Sequence, residues 1–252
     1  MNLREFFRLP PWNAAAWSVV VSTFLALGLA FWVGAAGQWS DYYLKQTSLG
    51  ADDGLQSPVG AIELARHAET VKKLLSNPPD PTADRKALGT LLERDNFFAV
   101  GYALLFLLLG LRARRPGAKP WELGLLILPA VLGLCDLMEN QSTQKILHDF
   151  EQMTQGMVNT QRMWSLCKWE TAFLLMVLLG AALLGQIRVE EEKPVTVFFQ
   201  GCTALVLVGA GLVGGLCLFW PTFAETGFSV SLAAFPFLLG WLLYPDRFWQ
   251  RR

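Results

Sequence analysis

Six apolar runs constrain this chain more than any other feature. They cover residues 15–36, 96–111, 121–139, 163–186, 197–219 and 228–244. A helix rises 1.5 Å per residue, so about 20 apolar residues cross roughly 30 Å of hydrocarbon. In lipid every backbone polar group must be paired within the segment, which leaves the α-helix as the natural reading of such runs. The second run is short, but Leu88, Leu91 and Leu92 precede it. One helix is therefore expected to start outside the membrane and run in. With 53% hydrophobic and 17% charged residues, the chain is too apolar for an ordinary soluble domain.

The fold class expected is all-α: a polytopic membrane helix bundle with six transmembrane helices, forming a single membrane domain over residues 1–252. No internal repeat or low-complexity tract divides it. Lys and Arg flanking the runs set the orientation, because short basic loops stay on the cytoplasmic side. Arg4 and Arg8 precede the first run, and Arg112, Arg114, Arg115 and Lys119 follow the second. Arg188 and Lys193 follow the fourth, and Arg247, Arg251 and Arg252 end the chain. All four groups fall on one side when sides alternate, which places the N and C termini in the cytoplasm and points to a bacterial cytoplasmic (inner) membrane. Trp17, Trp39, Trp121, Trp164, Trp220 and Trp241 lie near run ends, as an interfacial belt would.

The segment 37–95 between the first two runs is then extracytoplasmic. Ser57 and Pro58 read as a helix start, and Leu64, Ala68, Val71 and Leu75 recur at helical spacing until Asn77, Pro78, Pro79 and Pro81. This predicts one amphipathic helix of about five turns. Ile146, Phe150, Met153 and Met157 predict a second interfacial helix within 141–162.

The candidate site is a set of ionisable residues near the extracytoplasmic face. Asp95 sits at the outer mouth of the second run, and Tyr102 lies two turns deeper on the same face. Asp136, Glu139 and Asn140 share a face at i, i+3 and i+4. Lys168 lies near the same depth in the fourth run, with Glu170 on another face. Unpaired charges there cost on the order of a few kcal/mol each, so these groups are expected to find one another. Asp95, Asp136 and Glu139 against Lys168 leave a formal charge of about minus two, which suits a bound divalent cation or a shared proton. Glu63 and His67, four apart on the outer helix, are candidates for a lid over the site. The alternatives left open are a structural ion-pair network, a site for a cation, lipid headgroup or small polar ligand, and a catalytic site with Asp136 or Glu139 as base.

Several classes are disfavoured. With only His67 and His148, neither within a run, haem and zinc sites lack their usual ligands. A formal net charge of zero gives nucleic acid nothing to bind. Cys135, Cys167, Cys202 and Cys217 form no CxxC pair, although Cys135 and Cys167 sit near the outer ends of adjacent runs, where a disulfide is conceivable. The partners expected are membrane lipids and other membrane proteins, with self-association through the Gly211/Gly215 GxxxG face.

The stretch Ile62-Glu63-Leu64-Ala65-Arg66, then Asp95-Asn96-Phe97-Phe98 with Tyr102, then Asp136-Leu137-Met138-Glu139-Asn140, then Lys168 resembles a family of small bacterial multi-pass membrane proteins. The resemblance covers residues 59–186, with a DxxEN motif ending one span and a lysine in the next. It implies that Asp95, Tyr102, Asp136, Glu139, Asn140 and Lys168 act as one unit, and it brings no activity, substrate or cofactor.

Overall fold

A computed structural model describes residues 28, 58–76, 78, 80–113, 120–185, 187, 194–220 and 222–232. Among these the secondary structure is helical: α1 Pro58–Glu63, α2 Ala68–Ser76, α3 Pro81–Ala113, α4 Gly124–His148, α5 Gln155–Leu184, α6 Pro194–Gly214 and α7 Thr222–Leu232, with short 3-10 turns at Pro120–Leu123, Phe150–Gln152 and Gly215–Leu218. Four helical segments are long and apolar enough to cross a membrane, namely Pro81–Leu111, Pro120–His148, Gln155–Leu184 and Gln200–Leu218. They match the second to fifth apolar runs, and the chain is a membrane protein on that evidence. Apart from Gly28 the first run lies outside the described residues, as does most of the sixth, which begins within α7.

α3 begins well outside its apolar part, for a local reason. Asp80 accepts a hydrogen bond from the Ala83 N–H at 3.0 Å, and Pro81 fills the first helical position, where a missing donor costs nothing. The helix then continues unbroken for 33 residues, as Leu88, Leu91 and Leu92 had suggested. Leu88 and Leu92 are buried, while Phe97 and Val100 on the far side are 62% and 58% exposed, a surface suited to lipid.

Consecutive helices are neighbours in space: α3 packs on α4, α4 on α5, α5 on α6 and α6 on α7. α4 therefore stands between α3 and α5. Pro129 lies within α4, so the Leu125 carbonyl has no helical N–H to accept. Gly110 of α3 comes against this oxygen, leaving no room there for a Cβ. The small-residue face of α6 is used within the chain. A Cβ on Gly211 would stand 2.6 Å from the Phe173 carbonyl oxygen of α5, and Gly214 lies against the Phe173 ring.

The single five-turn outer helix expected from the sequence is not formed. α1 stops at Glu63, residues 64–67 are non-helical, and α2 starts at Ala68. Side chains of α5 interrupt the backbone ladder. Gln161 Nε2 donates to the Glu63 carbonyl at 3.2 Å, and Gln155 Nε2 donates to the Arg66 carbonyl at 2.8 Å. Gln155 Oε1 accepts from the Ala68 N–H at 2.9 Å. Ala61, Ile62, Leu64 and Ala65 are buried, so this stretch is packed into one end of the bundle rather than laid over it.

The second interfacial helix expected within 141–162 is also replaced. α4 extends to His148, a turn carries residues 149–154, and α5 begins at Gln155 with Thr154 as its cap. The Thr154 hydroxyl accepts from the Met157 N–H at 3.3 Å. Ile146 and Met153 are buried, so the apolar spacing marks the inward faces of two long helices and their joint.

Candidate functional site

The helix lengths bring three charged residues to one level before any side chain is considered. Asp95, Asp136 and Lys168 each stand sixteen residues from the far end of their own span, at Leu111, Pro120 and Leu184 respectively. That is about 24 Å of helix, some 6 Å short of crossing a roughly 30 Å apolar layer. The cluster therefore stands at one level of the bundle, towards the end where α1 sits.

Side-chain direction completes the convergence. Cα–Cβ bonds lean toward a helix N-terminus, so side chains of α3 and α5 lean toward the α1 end and those of the antiparallel α4 lean away from it. Tyr102, two turns deeper than Asp95, reaches back and donates its hydroxyl to Asp136 Oδ2 at 2.5 Å. Phe98 meets the Tyr102 ring edge to face at 5.2 Å. Asn140 donates its amide to Asp95 Oδ2 at 3.0 Å and to Asn96 Oδ1 at 3.2 Å.

Lys168 is the centre. Its Nζ lies 3.0 Å from Glu63 Oε1 and 3.2 Å from Asp136 Oδ1, and it also contacts Glu139 Oε2. Three carboxylates from two helices, one from α1 and two from α4, thus meet one ammonium of α5. Trp169 adds a second hold on Glu63, its indole N–H donating to Oε2 at 3.0 Å. The Lys168 nitrogen also sits 5.3 Å from the Trp169 ring, and that ring stacks on Phe173 at 5.7 Å. Glu139 and Asp136 are almost wholly buried, at 1% and 3% exposure.

Of the residues expected to form the site, Asp95, Tyr102, Asp136, Glu139, Asn140 and Lys168 are brought together. Glu63 joins them as a direct partner of the lysine rather than as a lid. His67 does not: the helix ends between the two residues, and the imidazole is exposed. Glu170 turns to the end of α6 and accepts from the Cys217 thiol at 3.3 Å. Cys135 is buried, Cys167 is exposed, and both are free thiols rather than a disulfide.

Sequence reasoning missed Trp169, Asn96, Gln161 and Gln155. A signal for one of them existed, because Gln161, Ser165 and Lys168 fall at i, i+4 and i+7 on an otherwise apolar helix. Gln161 and Ser165 are fully buried and hydrogen-bonded to each other at 3.0 Å.

The Lys168 ammonium is held among the carboxylates of Glu63, Asp136 and Glu139. Among the described residues no group of three or more His, Cys, Asp or Glu side chains is arranged to hold a metal ion. Comparison with family models, curated proteins and solved structures returns no match for this chain.

Proposed function

We propose that this chain is a six-span protein of a bacterial cytoplasmic membrane, and that its Lys168 cluster is an ion-pair lock. Both termini lie in the cytoplasm in this reading, and the α1 end of the bundle is extracytoplasmic. The orientation rests on Arg112, Arg114, Arg115, Lys119, Arg188 and Lys193, which follow the second and fourth apolar runs in the sequence, whereas α1 precedes the second. The family likeness over residues 59–186 belongs to the same proposal.

One observation carries the lock: the Lys168 ammonium contacts Glu63, Asp136 and Glu139 directly. A buried pair of this kind contributes mainly to specificity, since its desolvation offsets much of its attraction, while loss of one partner costs about 3–5 kcal/mol. The lock fixes the outer segment and α4 to α5. The protein's role in this reading is structural, as an accessory subunit that offers packing faces to lipids and to other membrane proteins.

A second reading, a site for a cation, a lipid headgroup or a small polar ligand, is favoured by one further observation. Three carboxyl groups, Glu63, Asp136 and Glu139, meet a single ammonium, and a fourth, Asp95, is held by Asn140 on the same face as Asp136 and Glu139. Thermal unfolding in detergent of Lys168→Met, Glu139→Gln and the double variant separates the two. The lock requires that Lys168→Met lowers the midpoint and that adding Glu139→Gln restores part of the loss. Unchanged midpoints in all three would reject it and favour the ligand site. Subunit status further requires co-purification with a partner at fixed stoichiometry.

A further inference from the structure

Of the three carboxylates at the Lys168 ammonium, two cannot leave it without moving a span. Asp136 and Glu139 belong to α4, which packs along α5. Glu63 belongs to α1, a helix of 6 residues followed by a non-helical stretch at 64–67. Glu63 is nevertheless held at three points. Lys168 Nζ donates to its Oε1 and the Trp169 indole to its Oε2, each at 3.0 Å. The Gln161 amide donates to the main-chain carbonyl of the same residue at 3.2 Å.

All three donors stand on α5, and each has a support outside α1. Lys168 is held by Asp136 and Glu139, Trp169 stacks on Phe173, and Gln161 bonds to Ser165 at 3.0 Å. The seat of Glu63 is therefore built by the spans. Ala61, Ile62, Leu64 and Ala65 are buried beside it, so it takes small and apolar side chains on either side of the carboxylate. One of its groups is left over. Gln161 is fully buried, and its Oε1 has no hydrogen-bond partner among the described residues. A buried acceptor without a donor is unfavourable, and the group that accompanies every peptide carbonyl and could satisfy it is a backbone N–H.

We propose that this face of α5 is a receptor for an acidic peptide segment of another membrane protein, a glutamate flanked by small apolar residues, and that α1 fills it as an internal stand-in. The incoming glutamate gives its carboxylate to Lys168 and Trp169. The backbone of the same segment meets Gln161, with a carbonyl at Nε2 and an N–H at Oε1, which α1 leaves unused. An empty seat would strand the donors of all three α5 residues, so α1 leaves only as the second segment enters. The charge of the cluster does not change, since one carboxylate replaces another. The inference deepens the reading of the chain as an accessory subunit and rests on it, because the partner supplies the segment.

A fluorescently labelled synthetic peptide with the sequence of residues 58–68 is the probe, its binding to the full-length protein in detergent followed by anisotropy. Glu63→Ala removes the competing carboxylate, so this variant should bind the peptide saturably and at least about tenfold more tightly than the wild type, whose seat is filled. The same peptide carrying Glu63→Gln should bind at least about tenfold more weakly, the equivalent of about 1.4 kcal/mol. Adding Lys168→Met to the Glu63→Ala protein should erase the difference between the two peptides. Absence of saturable binding, equal affinity for the two peptides, or displacement of the peptide by equimolar acetate would overturn the proposal. If Glu63→Ala does not fold, the wild type decides through the Leu64 amide, which bonds to the Gly60 carbonyl within the seated segment. Millimolar peptide should speed its hydrogen exchange, and unchanged exchange overturns the proposal equally. The readings beneath it fail by other results: the lock by an unchanged thermal midpoint in Lys168→Met, the subunit by the absence of a co-purifying partner.

Discussion

Replacing Trp169 by Phe tests how the outer segment is fastened. The indole N–H donates to Glu63 Oε2 at 3.0 Å, and a hydrogen bond to a charged acceptor contributes about 1.5–3 kcal/mol. Phenylalanine keeps a ring against Phe173, now stacked at 5.7 Å, so the loss falls mainly on the polar bond. A cycle with Glu63→Ala isolates the term, because the bond is absent from that background. Coupling of at least about 1.5 kcal/mol is expected from unfolding titrations in detergent, against the roughly 0.5 kcal/mol scatter of independent sites. The effect should also be local. The Leu64 N–H bonds to the Gly60 carbonyl at 2.9 Å and the Ala68 N–H to Gln155 at 2.9 Å, so both amides report on this stretch. Their hydrogen exchange should speed up by about ten- to a hundredfold, following the tenfold per 1.4 kcal/mol rule, while amides of α4 stay unchanged. Additivity within about 0.5 kcal/mol, or uniform acceleration throughout the bundle, would refute the reasoning.

Tyr102→Phe removes the hydroxyl that meets Asp136 at 2.5 Å and should cost about 1.5–3 kcal/mol in the same titration, the range for a bond to a charged partner. A loss below about 0.5 kcal/mol would show that Asp136 is adequately served by Lys168. Gly110→Ala places a methyl group against the Leu125 carbonyl of α4 and should cost about 1–3 kcal/mol by forcing the helices apart. A thermal midpoint equal to that of the parent protein would contradict the close approach.

The sequence made the long helices legible because apolar length is a direct consequence of bilayer thickness. The shared face of Asp136, Glu139 and Asn140 was legible too, since i, i+3 and i+4 fall together on any α-helix. Glu63 was reachable by the same spacing but with the wrong role attached. Periodicity across 58–75 cannot show that Gln155 and Gln161, nearly a hundred residues later, take up the carbonyls of Arg66 and Glu63 and end the helix. That interruption is also why His67, four residues after Glu63, points elsewhere. The segment 141–162 misled differently. Its apolar spacing was real, but burial by neighbouring helices produces the same pattern as lying on a headgroup layer. Trp169 went unread because its partner, Glu63, lies 106 residues earlier in the chain, and no local spacing shows that its indole donates to that buried carboxylate.

The bundle is joined by two kinds of contact with different consequences. In lipid, apolar side chains gain little by meeting one another, so close backbone approach and polar pairing must select the partners. Between α5 and α6, and between α3 and α4 at the Gly110 end, approach is through glycine. At the α1 end the joining is polar, and two adjacent residues of α5 carry its ion pairs and the indole bond to Glu63. Lys168 and Trp169 together grip both oxygens of Glu63, and Lys168 also reaches Asp136 and Glu139 of α4. Glycine contacts are indifferent to charge, whereas the polar end depends on the ammonium and on every carboxyl group around it. A change in the charge of this cluster therefore acts first on the outer segment and on the α4/α5 seam beside it. The opposite end of the bundle keeps its packing, which gives the two ends of one membrane domain separate sensitivities.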